Sequence, residues 1–328
     1  MSGKGEGVTR HISRKTLLKW APLLVLLVLV IFFTAINPAF FSLRNFARIA
    51  ITSSPALMVA IGVTFIIIMG SIDLSMEGAI SFSAIVFAFM FRYLGGSLDS
   101  WGWLALPLIV LCGAAFGWIN GTIHVRLRIP SFMASLAMGF VGTGAAILLT
   151  GGNIVKVDDE LFRSLLTVRY FGFPIMVYVA VFFLLFGAFV QSYTTLGRNF
   201  YAIGGGEELA HASGVKVRRV RVMAYTFAGA YYAIAAILAV GKIGQAESVS
   251  GANFMFISIT SVVVGGVALW GGTGGVWNAL VGVLIVSVIN NGMVVIGLPD
   301  FIQDGMLGIL VIIAVVLSTD RRSLQVVK

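Results

Sequence analysis

Charge is scarce in this sequence. Asp, Glu, Lys and Arg make up 11% of its 328 residues, against about 25% in a soluble domain. With 59% hydrophobic residues and a mean hydropathy of +1.02, the apolar surface is too large for one water-soluble core. Soluble enzymes and soluble binding modules are thereby excluded. Cysteine occurs once, as Cys112 inside an apolar block. A lone thiol makes neither an internal disulfide nor a thiolate metal cluster, so Cys112 reads as a packing residue. The histidines, His11, His124 and His211, lie far apart, and a metal site or proton relay built from them is not expected. No Ser-His-Asp arrangement, metal-ligand spacing or intramembrane aspartate pair points to catalysis. The alternating pattern of a membrane β-barrel is missing as well. The net charge of +9 sits in particular loops without interleaved aromatics, so nucleic acid is not an expected partner.

What the chain does have is long apolar blocks. A bilayer core takes about 20 apolar residues per helix, and the sequence predicts an all-α, polytopic membrane protein of about ten spans. They are Trp20–Ile36, Phe46–Met69, Ile72–Phe91, Trp103–Asn120, Ser131–Thr150, Pro174–Val190, Val222–Val240, Phe254–Leu269, Val276–Ile296 and Gly305–Leu317. Several carry glycine or polar breaks, tolerated only where a helix faces protein or a cavity. A helix over the third would place Asp73 and Glu77 at i,i+4 near its start. The polar, basic stretch Met1–Lys19 precedes the first run, and no small-residue cleavage site follows Ile36, so a retained signal anchor is expected.

Basic residues give the direction. With the N-terminus cytoplasmic and ten crossings, the inner segments hold Lys4, Arg10, Arg14, Lys15, Lys19, Arg126, Arg128, Arg198, Lys216, Arg218, Arg219, Arg221, Arg321, Arg322 and Lys328. That is 15 of the 22 basic residues, leaving 7 outside. The bias to the inside makes both termini cytoplasmic. The expected organisation is a tail over 1–19, one transmembrane domain over 20–318 and a tail over 319–328. The longest inner connection is 191–221. Within it, Glu207–Ser213 follows three glycines and precedes Gly214, which predicts a short surface helix.

This connection carries a family pattern. Gly197-Arg198-x-x-Tyr201-Ala202-Ile203-Gly204-Gly205, then Glu208-x-Ala210-x-x-x-Gly214, resembles the cytoplasmic coupling segment of ABC importer permeases, with Leu209 where alanine is usual. Gly70-Ser71-Ile72-Asp73-Leu74-Ser75 resembles a signature of the monosaccharide branch, which includes ribose, galactose and arabinose permeases. It departs at Ser71, and at Met76 and Glu77, where valine and glycine are common. Ile119-Asn120-Gly121 with Ile129-Pro130-Ser131-Phe132 is similar to the next signature. Val264-Gly265-Gly266, Gly271-Gly272-Thr273-Gly274-Gly275 and Asn291-Gly292-Met293 are similar to the last. The set runs in order from about Ala60 to Leu317.

The resemblance implies a permease subunit in the bacterial plasma (inner) membrane, surrounded by lipid, forming a path for a sugar or similar small polar solute. It implies a separate ATPase subunit that binds the ATP, an extracytoplasmic solute-binding protein, and a second permease subunit, identical or paralogous. No cofactor belongs to the chain itself. Arg198, Ile203, Gly204, Glu208, Ala210 and Gly214 are the expected coupling residues. Asp73, Ser75, Asn120, Asn290 and Asn291 are candidates for the path or its architecture, with Asp73 read as an anchor of a broken helix more than as a solute contact. Glu77 receives no role. The glycine pairs lack a following Lys-Ser or Lys-Thr, which excludes a nucleotide loop, and predict close packing and a flexible inner turn.

The alternative is an ion-coupled secondary transporter, built on buried carboxylates and inverted repeats. Asp73 and Glu77 cluster at one end of a span, the other spans have almost no charge in their middles, and no inverted repeat is visible. A channel would show a filter sequence, and none is present. Pentose, hexose, inositol-like and autoinducer-type cargo are all compatible with the sequence.

Overall fold

The computed structural model describes residues 14–299 together with 302, 303, 305, 306, 308, 309 and 312. Most of the tenth expected span, Gly305–Leu317, and most of both tails lie outside the described residues. The rest is helical, with a few two-residue strands. In chain order the elements are α1 Arg14–Ile36, α2 Leu43–Ile68, α3 Met76–Tyr93, α4 Ala105–Leu127, α5 Ser131–Thr150, β1 Val155–Lys156, α6 Glu160–Thr167, β2 Arg169–Tyr170 and β3 Phe173–Pro174. Then come α7 Ile175–Tyr193, α8 Thr195–Gly205, α9 Glu207–Ala212, α10 Val217–Ile243, β4 Gln245–Ala246, α11 Phe254–Val264 and α12 Val276–Val295.

Among the described residues, seven helices are long and apolar enough to cross a membrane: α2, α3, α4 with the turn before it, α5, α7, α10 and α12. Trp20–Ile36 and α11 are apolar but shorter. The expected third span needs correction. Its helix starts at Met76, and residues 71–75 before it are neither helix nor strand. Asp73 and Glu77 therefore do not share a helix face. The expected eighth span also shrinks, because α11 stops at Val264 and residues 265–275 turn back instead of continuing to Leu269. Gly266, Gly271, Gly272 and Gly274 all have positive φ there, a backbone that helices do not use.

Two helices form the core. Residues 53–69, mostly on α2, and residues 231–241 of α10 are buried on every side, as expected for segments apolar all round. The hydroxyls of Ser53, Ser54 and Thr64 donate to carbonyls one turn back on α2, so neighbours can pack on all sides. α10 lies mainly against α4, α2 and α3. Its contact with α4 is backbone on backbone: a methyl on Gly117 would overlap the Tyr225 carbonyl, and one on Gly229 the Gly113 carbonyl. With no hydrophobic force between helices in lipid, such close approach supplies the packing energy.

The connections fall at two ends. One, here the Arg198 end, gathers 69–75, 128–130, 194–216 and 265–275. The other, the Lys156 end, gathers 94–104, 151–174 and 244–246. There β1 pairs antiparallel with β4, Val155 opposite Ala246. Asp159 Oδ2 caps α6 by accepting from Phe162 N at 2.9 Å, and it accepts from Leu98 N at 3.3 Å. Phe162 packs on Phe87 and Phe91 of α3. The sequence signalled no helix in this connection.

Candidate functional site: a broken span and the turns beneath it

The interruption between α2 and α3 has to satisfy its own backbone groups. Gly70 (φ +72°) turns the chain out of α2, and each following N–H and C=O then needs a partner, because none can be left bare at membrane depth. Hydroxyls of two neighbouring helices supply them. Ser131 Oγ of α5 accepts from Ile72 N at 3.0 Å, and Ser135 Oγ from Leu74 N at 2.9 Å. On the opposite side, Tyr225 Oη of α10 donates to the Ile72 carbonyl at 3.1 Å. Ser131 and Ser135 are one turn apart on α5. They stand in for the turn of helix that the chain lacks.

Asp73 closes the break. Its side chain is 1% exposed. Oδ1 accepts from Ser75 N at 2.9 Å, Ser75 Oγ at 2.7 Å and Asn120 Nδ2 at 3.4 Å; Oδ2 accepts from Tyr232 Oη at 2.9 Å. Asn120 Nδ2 also donates to Ser75 Oγ at 3.1 Å. Four donors from three elements thus converge on one buried carboxyl group, so neither of its oxygens is left without a partner. The structure brings Asp73, Ser75 and Asn120 together, as the sequence grouped them. Asn290 and Asn291 are not part of this cluster. They lie on α12, half-buried, and their Oδ1 atoms have no partner.

At the Arg198 end, three segments meet in a tight joint. Gly272 N donates to the Ile68 carbonyl at 2.8 Å, and Tyr201 Oη to the Gly274 carbonyl at 2.6 Å. Gly204 lies between them, where a methyl would overlap the Ile68 carbonyl and sit 2.5 Å from Gly272 N. Gln191 Oε1 of α7 accepts from Val276 N at 2.6 Å. It caps α12, whose own N-cap is Gly275.

α8 and α9 form a helical hairpin beside this joint. Thr194 caps α8 by accepting from Gly197 N at 3.2 Å. Gly206 (φ +159°) makes the corner, and Gly214 (φ +85°) ends the hairpin. Of the expected coupling residues, Ile203 and Ala210 are buried and anchor the hairpin, whereas Arg198, Glu208 and Gly214 are exposed. Leu209 is 74% exposed, an apolar side chain on the hairpin's outer face. The one ion pair among the described residues, Arg221 with Glu207 at 2.6 Å, ties α9 to α10.

Sequence reasoning missed Tyr225, Tyr232, Ser135 and Gln191, and quoted Tyr201 in the coupling pattern without giving it a role. The i,i+7 spacing of the two tyrosines, and the i,i+4 spacing of Ser131 and Ser135, were available as signals, since each pair shares a helix face. Gln191 gave none, and the pattern at Tyr201 did not reveal its bond, because their partners are backbone atoms far along the chain.

Comparison with known proteins agrees with this architecture. The family described as the branched-chain amino acid transport system permease component matches residues 45–315. The chain is 33% identical over 301 residues to the ribose import permease protein RbsC of Bacillus subtilis, covering 91% of this chain and 92% of that one. It is 31% identical over 306 residues to the autoinducer 2 import system permease protein LsrC of Klebsiella pneumoniae, at 92% and 88% coverage. It is 29% identical over 298 residues to the L-arabinose transport system permease protein AraH of Escherichia coli, at 91% and 89% coverage. No solved structure matches the chain. A multi-pass helical chain with a hydroxyl-clad break, matched by this family over 45–315, belongs to the branched-chain amino acid transport permease family and is a membrane permease subunit of an ABC importer, without an ATPase site of its own.

Proposed function

We propose that the α8–α9 hairpin is the docking element for a separate ATPase subunit, and that a sugar or similarly small, polar, hydroxylated solute is the cargo. Both termini and the Arg198 end face the cytoplasm, with ten crossings in one transmembrane domain. Two copies, or this chain and a paralogue, enclose the path. A binding protein delivers cargo to the Lys156 end, and the ATPase binds and hydrolyses the ATP. The observation that carries this reading is the joint at Gly204. Because the hairpin is wedged against Ile68 and Gly272 by backbone contacts, a push on α9 has no soft side chain in which to dissipate. It passes to the end of α2, two residues before the break that Asp73 closes. The names of the relatives, for ribose, arabinose and autoinducer 2, support a small hydroxylated cargo.

Gly214 gives the test. A methyl there meets no heavy atom within 4 Å, so the subunit itself has room at the first carbon, and the positive φ is strained by about 1–2 kcal/mol. Gly214→Ala and Gly214→Leu carry the same strain and differ in bulk. Both should reach the membrane, and Leu should lower copurified ATPase and solute-stimulated ATP hydrolysis well below Ala. Equal retention of ATPase by both variants would remove the hairpin from the docking surface.

Orientation is tested separately. In a Cys112→Ala background, single cysteines at 126, 198 and 321 should resist an impermeant thiol reagent applied to intact cells. Cysteines at Asp99 and Glu247 should react. Asp159 is a poor reporter, because its carboxylate caps α6. Labelling at 198 from outside would reverse the topology.

A further inference from the structure

Glu77 stands in the first turn of α3, and its Oε1 accepts from Met255 N at 3.4 Å. Met255 is in the first turn of α11, whose N-cap Asn253 (φ +68°) gives no side-chain cap. The carboxylate therefore lies between the N-termini of two helices that run in opposite directions, each carrying positive partial charge. Glu77 is about 24 Å along α3 from the Lys156 end, and α11 spans about 16 Å toward the Arg198 end, at 1.5 Å per residue. Their sum is the thickness of a bilayer with its headgroups, which puts Glu77 well inside the membrane.

That place is not covered by this chain. Glu77 and Met255 are only partly buried, Phe256 is 62% exposed, and the irregular lead-in to α11 is exposed at Ala252 and Asn253. The same lead-in touches α3 at this depth: Gly251 N donates to Ser81 Oγ at 3.0 Å, and a methyl on Gly251 would overlap the Glu77 carbonyl. Across the break, Ile72 is 39% exposed. Irregular backbone and a carboxylate are not left facing lipid; they occur at this depth where they are buried in protein or line water. No Lys or Arg pairs with Glu77 among the described residues.

We propose that Glu77 lines the translocation path and sets its charge preference, favouring neutral hydroxylated or cationic solutes over anionic ones. The inference rests on the importer reading above. Asp73 cannot serve in this way, because its two oxygens are occupied by four donors and it is buried. Glu77 has an oxygen beyond the one that caps α11, and it is placed where solute would pass from one half-helix to the other.

The test uses the assembled complex of two permease subunits with ATPase, in a Cys112→Ala background, with Ile72→Cys or Phe256→Cys as reporter. Binding-protein-stimulated ATP hydrolysis is measured first, so that failure of the importer reading is seen separately. Cationic and anionic methanethiosulfonates of similar size are then compared. With Glu77 present, the cationic reagent should react on the order of tenfold faster, the ratio that one unit charge about 7 Å away produces in water between reagents of opposite sign. Glu77→Gln keeps an oxygen for Met255 N and should bring the ratio close to that of a free thiol, with the complex intact. A role limited to capping would leave the ratio unchanged in Glu77→Gln, and that result would overturn the proposal. So would two reporters that react with neither reagent in an active complex, since the site would then be sealed by protein or lipid.

Discussion

Asp73→Leu should abolish accumulation of folded permease, while Asp73→Asn should retain most of it. In the native protein one carboxylate satisfies Ser75 N, Ser75 Oγ, Asn120 Nδ2 and Tyr232 Oη. Leucine accepts nothing. Leaving a buried donor bare costs about 1–3 kcal/mol, and the Ser75 amide cannot rotate to find another acceptor. Even if both hydroxyls reorient, Ser75 N and Asn120 Nδ2 lose this acceptor, and two such donors bring the loss to about 2–6 kcal/mol, a large share of the 5–15 kcal/mol that holds a domain folded. Asparagine keeps Oδ1 and its three bonds. Its Nδ2 replaces Oδ2 and can donate to Tyr232 once the phenol hydrogen turns away. The measurement is the monodisperse fraction after detergent extraction, followed by ATPase copurification. An Asn variant that folds and binds ATPase but fails to transport would give Asp73 a direct part in moving solute and would overturn its assignment as scaffold.

The second large effect is at Gly204, where even Ala should be severe. The added methyl would overlap the Ile68 carbonyl and lie 2.5 Å from Gly272 N, and those two atoms are bonded to each other at 2.8 Å. Both neighbours are backbone, so no rotamer change gives relief. Either the α8 terminus moves away or the Ile68–Gly272 bond breaks, and an overpacked contact of this kind costs about 1–3 kcal/mol or more. The adjacent Gly205 is the control. A methyl there meets nothing within 4 Å, and Ala in a helix is about 1 kcal/mol better than Gly. Gly204→Ala should therefore lose most solute-stimulated ATP hydrolysis while Gly205→Ala keeps it. Similar behaviour of the two would mean that the joint is not the element through which the hairpin acts.

Much of this was legible in sequence. Apolar blocks located the membrane helices, with α5 matched at both ends and α2, α7, α10 and α12 to within a few residues. Glu207–Ser213 before Gly214 became α9. The break was marked by Asp73 but drawn as helix, because hydropathy averages over Gly70–Ser75 and cannot register that the Asp73 carboxylate caps the backbone at Ser75. The half-length of α11 was hidden in the same way: Val267, Ala268 and Leu269 are apolar, yet they belong to a turn set by four positive-φ glycines. Asn290 and Asn291 were grouped with Asp73 by residue type alone, and they lie apart from it. Glu77 drew no role from its pattern. What decides its place is the lead-in to α11, almost two hundred residues later in the chain.

The caps that these broken helices borrow also order the protein's synthesis. Asp73 and the Ile72 carbonyl wait for Tyr232 and Tyr225, and Glu77 waits for Met255. A ribosome that has released α1 through α9 has made the break but none of those partners. Until α10 enters the bilayer, the segment 70–75 keeps bare polar groups that hydrocarbon will not accept, so it must stay near water or near the insertion machinery. The first half of this chain can be threaded into the membrane early, but it becomes native only when the second half arrives.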